Sequence, residues 1–206
     1  MQQSQSHLEG SKESDAASEI KSELRRLGAE NADFCAVQSG ANSAIPHHET
    51  STRKIRKGDL VVVDISISGP GGYFADYTRT YSIGKPSKLQ REVYEIVKKA
   101  QAGAVEAAKS GVEAGLVDSA ARSFIEKSGY GKYFFHRTGH GIGLEVHEAP
   151  WIRNGNEMKL RSGMAFTIEP GIYLSGKFGV RIEDNLLVVD SKTVDMTMLG
   201  HDLIEL

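Results

Sequence analysis

Four carboxylates set into apolar, β-type runs constrain this chain more than any other feature. Asp64 follows three valines in VVVDISISGPGGYFADYTRT, which also carries Asp76, and Glu169 and Glu183 each follow an isoleucine in FTIEPGIYLSGKFGVRIEDN. An unpaired, ionised carboxylate in such a run is costly to bury, so something cationic has to compensate. Arg79 and Arg181 could do so by salt bridging, and for any one of these carboxylates alone that reading stands level with ligation. Taken together they weigh differently. Strands joined by a short turn present residues to one side, which pairs Asp64 with Asp76 and Glu169 with Glu183 in a carboxylate cage. One neutral imidazole, His140 in the glycine-flanked RTGHGIG, would complete it. The set then carries about four negative charges, enough to balance two divalent cations. Oxygen-rich ligation with one nitrogen and no sulfur suits manganese, iron, cobalt or zinc, and argues against a thiolate site or a purely structural zinc.

The order of elements supports an α+β chain built from two similar halves. Residues 1–14 are polar and read as a disordered leader or expression remnant, and residues 15–206 as one catalytic domain. A helix is expected from about Asp15, with Ile20, Leu24 and Leu27 on one stripe and Gly28 as its stop. β-type runs follow at Phe34 to Val37, Leu60 to Ile67 and Tyr73 to Ile83, the last two joined by the turn residues of SGPGGY. Ser87 and Gln90 form a capping-box pattern for a long helix that stops near Gly111. A second helix runs from about Val117 to Lys127, and β-type segments return at Met164 to Leu174, Gly179 to Val189 and Thr193 to Leu199. Helix then hairpin thus occurs twice, which implies two halves facing each other across a shared site. The first half has one helix where the second has two. A missing first helix would leave an apolar stripe without an intramolecular partner and favour a homo-oligomer.

Composition excludes several classes. With 39% hydrophobic and 25% charged residues and a formal net charge of -2, the chain is an ordinary globular sequence with no signal for nucleic acid. No apolar run approaches the roughly 20 residues of a bilayer span, and the N-terminus lacks the pattern of a signal peptide, so the expected location is cytoplasmic with no membrane partner. The single cysteine, Cys35 in DFCAV, reads as a buried, inert thiol.

The segments SGANSAIPHH, VVVDISISGPGGYFADYTRTYSIG, HRTGHGIGLEVHEAP, TIEPGIY and GVRIEDN resemble the catalytic domain of the pita-bread metallopeptidases, nearest the prolidase and aminopeptidase P branch. The resemblance runs from about residue 15 to the C-terminus. It implies the pita-bread fold of creatinase and aminopeptidases, two divalent metal ions with manganese first among them, and hydrolysis of small peptides at a bond next to proline. It assigns Asp64 to one metal, Asp76 and Glu183 to both as bridges, and His140 and Glu169 to the second. Glu169 also takes the family's proton-shuttle place. His47 and His147 match histidines that stabilise the tetrahedral species. His136, Arg181 and Tyr173 match residues of the substrate pocket. His48 and His201 match no motif. Methionine aminopeptidase shares the fold and the metal-binding residues, but RTGHGIGLEVHE and Arg181 favour the proline branch. Metal-free relatives that act as binding modules or hydrolyse creatine typically lose ligands, and here all five are kept. Members of this branch usually carry a separate N-terminal domain, which is not recognised in this sequence and leaves activity of the chain alone an open expectation.

Overall fold

The computed structural model describes residues 8–206. In its first half three antiparallel strands, β1 (Asn31–Ser39), β2 (Leu60–Ser68) and β3 (Phe74–Ser82), form a sheet covered on one face by helix α1 (Glu13–Arg26). Alternation along β2 explains why: Val61, Val63 and Ile65 join Val37, Ala16 and Ala17 in the core under α1, while Asp64 and Ser66 take the opposite face. Ile20 and Leu24 of the expected stripe pack on this core, whereas Leu27 lies exposed past the helix end. Gly28 adopts φ of +102°, the left-handed stop anticipated for it.

The fold starts earlier than the expected boundary at residue 15. Leu8 is buried in the first core, the Gly10 N–H donates to the Ile55 carbonyl at 2.9 Å, and Glu13 is wholly buried. These contacts overcome the polar composition of residues 8–14; the rest of the expected leader, residues 1–7, lies outside the described residues.

The second half packs helices α2 (Lys88–Ala107) and α3 (Ala114–Lys127) against a sheet ordered β10-β9-β6-β4-β5, and a two-stranded ribbon, β7 with β8, rises from it. The strands are β4 (Gly139–Gly141), β5 (Glu148–Ile152), β6 (Ala165–Ile168), β7 (Gly171–Leu174), β8 (Phe178–Arg181), β9 (Asp184–Val189) and β10 (Lys192–Asp195). A last short strand, β11 (Ile204–Glu205), lies parallel to β3. Among the described residues the first half has one α-helix and the second two, as the element order implied. The capping box of α2 forms: Ser87 Oγ accepts from the Gln90 N–H, and Gln90 Oε1 accepts from the Ser87 N–H. The helix closes at Ala107, short of Gly111.

Three expected strands differ in extent. Met164 to Leu174 is broken at Glu169 and Pro170, because proline has no N–H to extend the ladder. Its partner run breaks at Ile182 and Glu183, so β6 pairs β9 in the large sheet while β7 pairs β8 apart from it. The run expected to reach Leu199 stops at Asp195, whose carboxylate accepts from the N–H groups of Thr197 and Met198 and turns the chain. No helix among the described residues is long and apolar enough to cross a membrane.

Candidate metal centre and substrate cleft

The two halves meet where β3 touches the bends beside β8. Thr78 O accepts from the Glu183 N–H at 3.1 Å, and Thr80 Oγ1 donates to Arg181 O while accepting from the Arg181 N–H. Asp76 and Asn185 are joined the same way, backbone to side-chain amide. These cross-links set the carboxylates of both halves around one point, at the floor of a cleft of about 730 Å³.

Asp64 and Asp76 lie diagonally across β2 and β3, with Asp64 opposite Thr78 and Asp76 opposite Ser66, on the shared face expected for them. Glu169 and Glu183 do not sit within one ladder. They occupy the two bends at the base of the β7–β8 ribbon, where freedom from regular pairing lets both side chains turn toward the first half. The Glu169 bend is pinned by its own N–H, which donates to Thr138 O at 2.7 Å. Oxygens of Asp64, Asp76 and Glu183 come within 4.8 Å of one another, as do ligand atoms of His140, Glu169 and Glu183.

His140 is delivered by β4, and the glycines on either side explain its motif. A Cβ on Gly139 would fall on the Thr167 carbonyl, and one on Gly141 on the Ala149 carbonyl, so both strands flanking β4 approach closer than any other residue permits. The His140 Nδ1 faces Gly141 O at 3.0 Å and must donate to it, because a carbonyl only accepts. That leaves Nε2 with a bare lone pair, 3.5 Å from Glu169 Oε1 and 3.8 Å from Asp76 Oδ2. Burial pushes the imidazole pKa down to about 4, so the ring is neutral at physiological pH.

Electrostatics point the same way. Burial raises the Asp76 carboxyl well above its ordinary range, and Asp64 and Glu169 add to the shift. Burial, then Asp76, Glu169 and Asp64, does the same to Glu183. Glu169 is pushed up to about 7, again chiefly by burial, with Arg181 opposing and Asp64 reinforcing. Asp76 Oδ1 is buried with no hydrogen-bond partner. Crowded carboxylates that resist ionisation, an orphaned oxygen and an imidazole lone pair aimed among them fit divalent cations better than they fit each other. Asp64, Asp76, His140, Glu169 and Glu183 are the residues that could hold them.

Of the two arginines considered as counter-charges, only Arg181 faces this set. It donates to Asp64 Oδ2 at 2.6 Å and through Nε to Thr78 Oγ1, and Thr78 in turn donates to Glu183 Oε2 at 2.7 Å. Arg79 is placed otherwise: strand alternation turns it to the far face of β3, where it pairs with Asp184 at 2.5 Å and donates to Glu183 O. His201, which no motif singled out, holds the other Asp184 oxygen at 2.6 Å. Together they brace the Glu183 bend from behind.

The pocket residues form a chain. Arg181 Nη1 donates to Tyr173 OH at 3.0 Å, and Tyr173 OH lies 2.9 Å from His136 Nε2. His136 Nδ1 must donate to Arg137 O at 2.6 Å, so its Nε2 accepts from the tyrosine. Burial lowers the His136 pKa to about 3, which keeps the wall uncharged apart from Arg181. His47 and His147 stand exposed at the cleft, His147 with its ring 4.3 Å from that of His140. The structure thus gathers all ten expected site residues at one cleft. Cys35 is buried, and burial lifts its thiol pKa to about 12, as suits an inert residue.

Sequence reasoning passed over Thr78, Ser66 and Arg137. Thr78 and Ser66 lie two residues from Asp76 and Asp64 on the same strand face, a period-two signal that was available. Arg137 lies in the cleft and stacks its guanidinium over Trp151, 4.9 Å from the ring centroid, a contact no local pattern reveals.

Comparison with known proteins adds a family model, metallopeptidase family M24, that matches residues 1–190. A probable dipeptidase PepE of Mycobacterium tuberculosis is 46% identical over 195 residues, which is 95% of this chain and 52% of that protein. The solved prolidase from Thermococcus sibiricus superimposes with a TM-score of 0.94 at 50% identity, covering 97% of this chain and 55% of the other. The X-Pro aminopeptidase from Thermotoga maritima gives 0.96 at 41% identity, over 100% of this chain and 58% of its own. The chain spans about half the length of the curated relatives it matches.

Proposed function

This chain belongs to metallopeptidase family M24, and on that premise we propose that it carries the catalytic centre of an Xaa-Pro peptidase using two divalent metal ions. Asp64, Asp76, His140, Glu169 and Glu183 would hold the ions, with manganese the first candidate. The observation that carries the reading is the His140 lone pair, fixed by Nδ1 donation to Gly141 and aimed among carboxylates that burial and mutual repulsion keep from ionising. Bound divalent cations would lower the pKa of water and polarise the scissile carbonyl.

The chain's own residues do the rest. Glu169, on the cleft floor beside His140, accepts a proton from the attacking water and passes it to the departing nitrogen. His47 and His147 hydrogen-bond the tetrahedral oxyanion from the cleft rim. Arg181, tied down by Asp64 and Thr78, offers its charge to the substrate beside a wall made by Tyr173 and His136. That wall suits proline, whose tertiary amide has no N–H and whose ring needs a surface rather than a donor. Small proline-containing peptides are the substrates this reading names.

The test compares hydrolysis of an Xaa-Pro dipeptide with that of an Xaa-Pro tripeptide, with added manganese or cobalt, beside an Asp76→Ala control. Turnover of the dipeptide alone marks a prolidase, and turnover of the longer peptide alone an aminopeptidase P. Equal turnover by the control refutes catalysis at this centre.

A further inference from the structure

His47 is exposed on the 40–51 segment, and an exposed histidine on a connecting segment can act in a reaction only if its backbone is held. The ends of that segment are held well. Glu13, wholly buried, accepts from Ser39 N and Oγ on one side and from Ser51 N and Oγ on the other, with Asn42 Nδ2 between. His47 lies away from these anchors.

At His47 itself the backbone turns, with the His48 N–H donating to Ile45 O at 3.0 Å, and a buried side chain holds both neighbours of the histidine. Gln38, on β1 and 1% exposed, directs Nε2 to the carbonyls of both neighbours of His47: Pro46 O at 3.3 Å and His48 O at 2.9 Å. The orientation of the amide follows from chemistry, because the reverse would set an oxygen against two oxygens. Its Oε1 is left buried without a partner, beside a cavity of about 230 Å³ that His47 also lines. Pro46 O also accepts from Arg181 Nη1 at 3.4 Å, which ties the same peptide to the substrate wall.

We propose that Gln38 is a positioning residue for His47, acting through the two peptide carbonyls that bracket it. This rests on the reading of His47 as a substrate-facing group. Gln38→Met keeps the length of the side chain and removes the donor. In a histidine-selective NMR spectrum of the metal-free chain, it moves or broadens the ring signal of His47, assigned by its loss in His47→Ala, and leaves that of His201 in place. In Xaa-Pro hydrolysis Gln38→Met lowers kcat about tenfold when His47 is present, the scale expected of a misplaced catalytic group. It lowers kcat by less than about twofold in the His47→Ala background, since coupled residues are non-additive. An unmoved His47 signal, or an equal loss in both backgrounds, overturns the proposal. Should Gln38→Met fail to fold, Gln38→Asn, which keeps the amide one methylene short of the two carbonyls, takes both measurements with the same outcomes. A wild-type chain that hydrolyses nothing would sink the peptidase reading, and the NMR comparison would still decide Gln38.

Discussion

Loading this centre with divalent metal should expel protons, and the amount is calculable. With the Glu169 pKa near 7, its carboxyl carries about 0.9 proton at pH 6, against about 0.03 at its ordinary value of 4.5. Asp76 and Glu183 are pushed in the same direction by burial, with Asp64 and Glu169 raising both, and add to the store. His140, with its pKa near 4, holds about 0.01 proton at pH 6 and contributes nothing. Metal binding requires the ionised carboxylates, so at least about 0.9 proton leaves on loading at pH 6, and the association constant climbs roughly eightfold per pH unit there. Release of the Glu169 proton fades as pH rises through 7. Calorimetric titration with manganese at pH 6, in two weakly coordinating buffers of different ionisation enthalpy, reads the number directly. Identical heats in the two buffers, corresponding to less than about 0.1 proton, would refute the argument that mutual repulsion and burial keep these carboxylates protonated.

The other predictions follow from single contacts. Glu169→Gln in the metal-free chain replaces a carboxyl whose folded pKa exceeds its unfolded one; the wild type is penalised when that group ionises, so the penalty is absent below about pH 4.5 and complete above about 7. Thermal melts should therefore show the variant more stable than wild type at pH 8, by up to about 3 kcal/mol, and the gain lost near pH 4.5. Arg181→Met leaves Asp64 buried without its guanidinium and should destabilise the metal-free chain by about 3 kcal/mol or more in urea titrations. Gly139→Ala drives a methyl into the Thr167 carbonyl; a loss of about 1–3 kcal/mol with weakened metal uptake is expected, and unchanged uptake would mean that β4 does not set the position of His140.

How much of this was legible beforehand divides by range. The carboxylates announced themselves because each sits in a local apolar run, and the capping box of α2 because Ser87 and Gln90 are three residues apart. His140 was marked by glycines whose reason, close approach to Thr167 and Ala149, became visible only with the neighbouring strands in place. Arg79 and Arg181 looked equivalent in sequence, each near an acidic group. Strand alternation sends one behind Glu183 and the other to Asp64, and only the register decides between them. The break at Glu169 and Pro170 was written in the proline, yet the break at Ile182 and Glu183 follows from losing its partner and has no local signal. Leu8 fails for the same reason: a lone leucine in polar surroundings reads as solvated until Ile55 and the first core are there to cover it.

The charge balance of the cleft floor links these points. Asp64, Asp76, Glu169 and Glu183 share the cleft with the guanidinium groups of Arg181 and Arg137; Arg181 is committed to Asp64 by a 2.6 Å bond, and Arg137 stands over Trp151. His140 is neutral and cannot help. Three carboxylates therefore remain to be neutralised in a buried place, and either protons or metal ions must do it. The metal-free chain uses protons, at the expense of pKa values raised far from those of ordinary carboxyls. On the proposed reading divalent ions would replace them with a better match of charge to oxygen, and Glu169 would take up a proton from a water beside it. The same crowding that makes these residues poor neighbours in the metal-free chain would, on the proposed reading, favour both the divalent ions and a proton acceptor at Glu169.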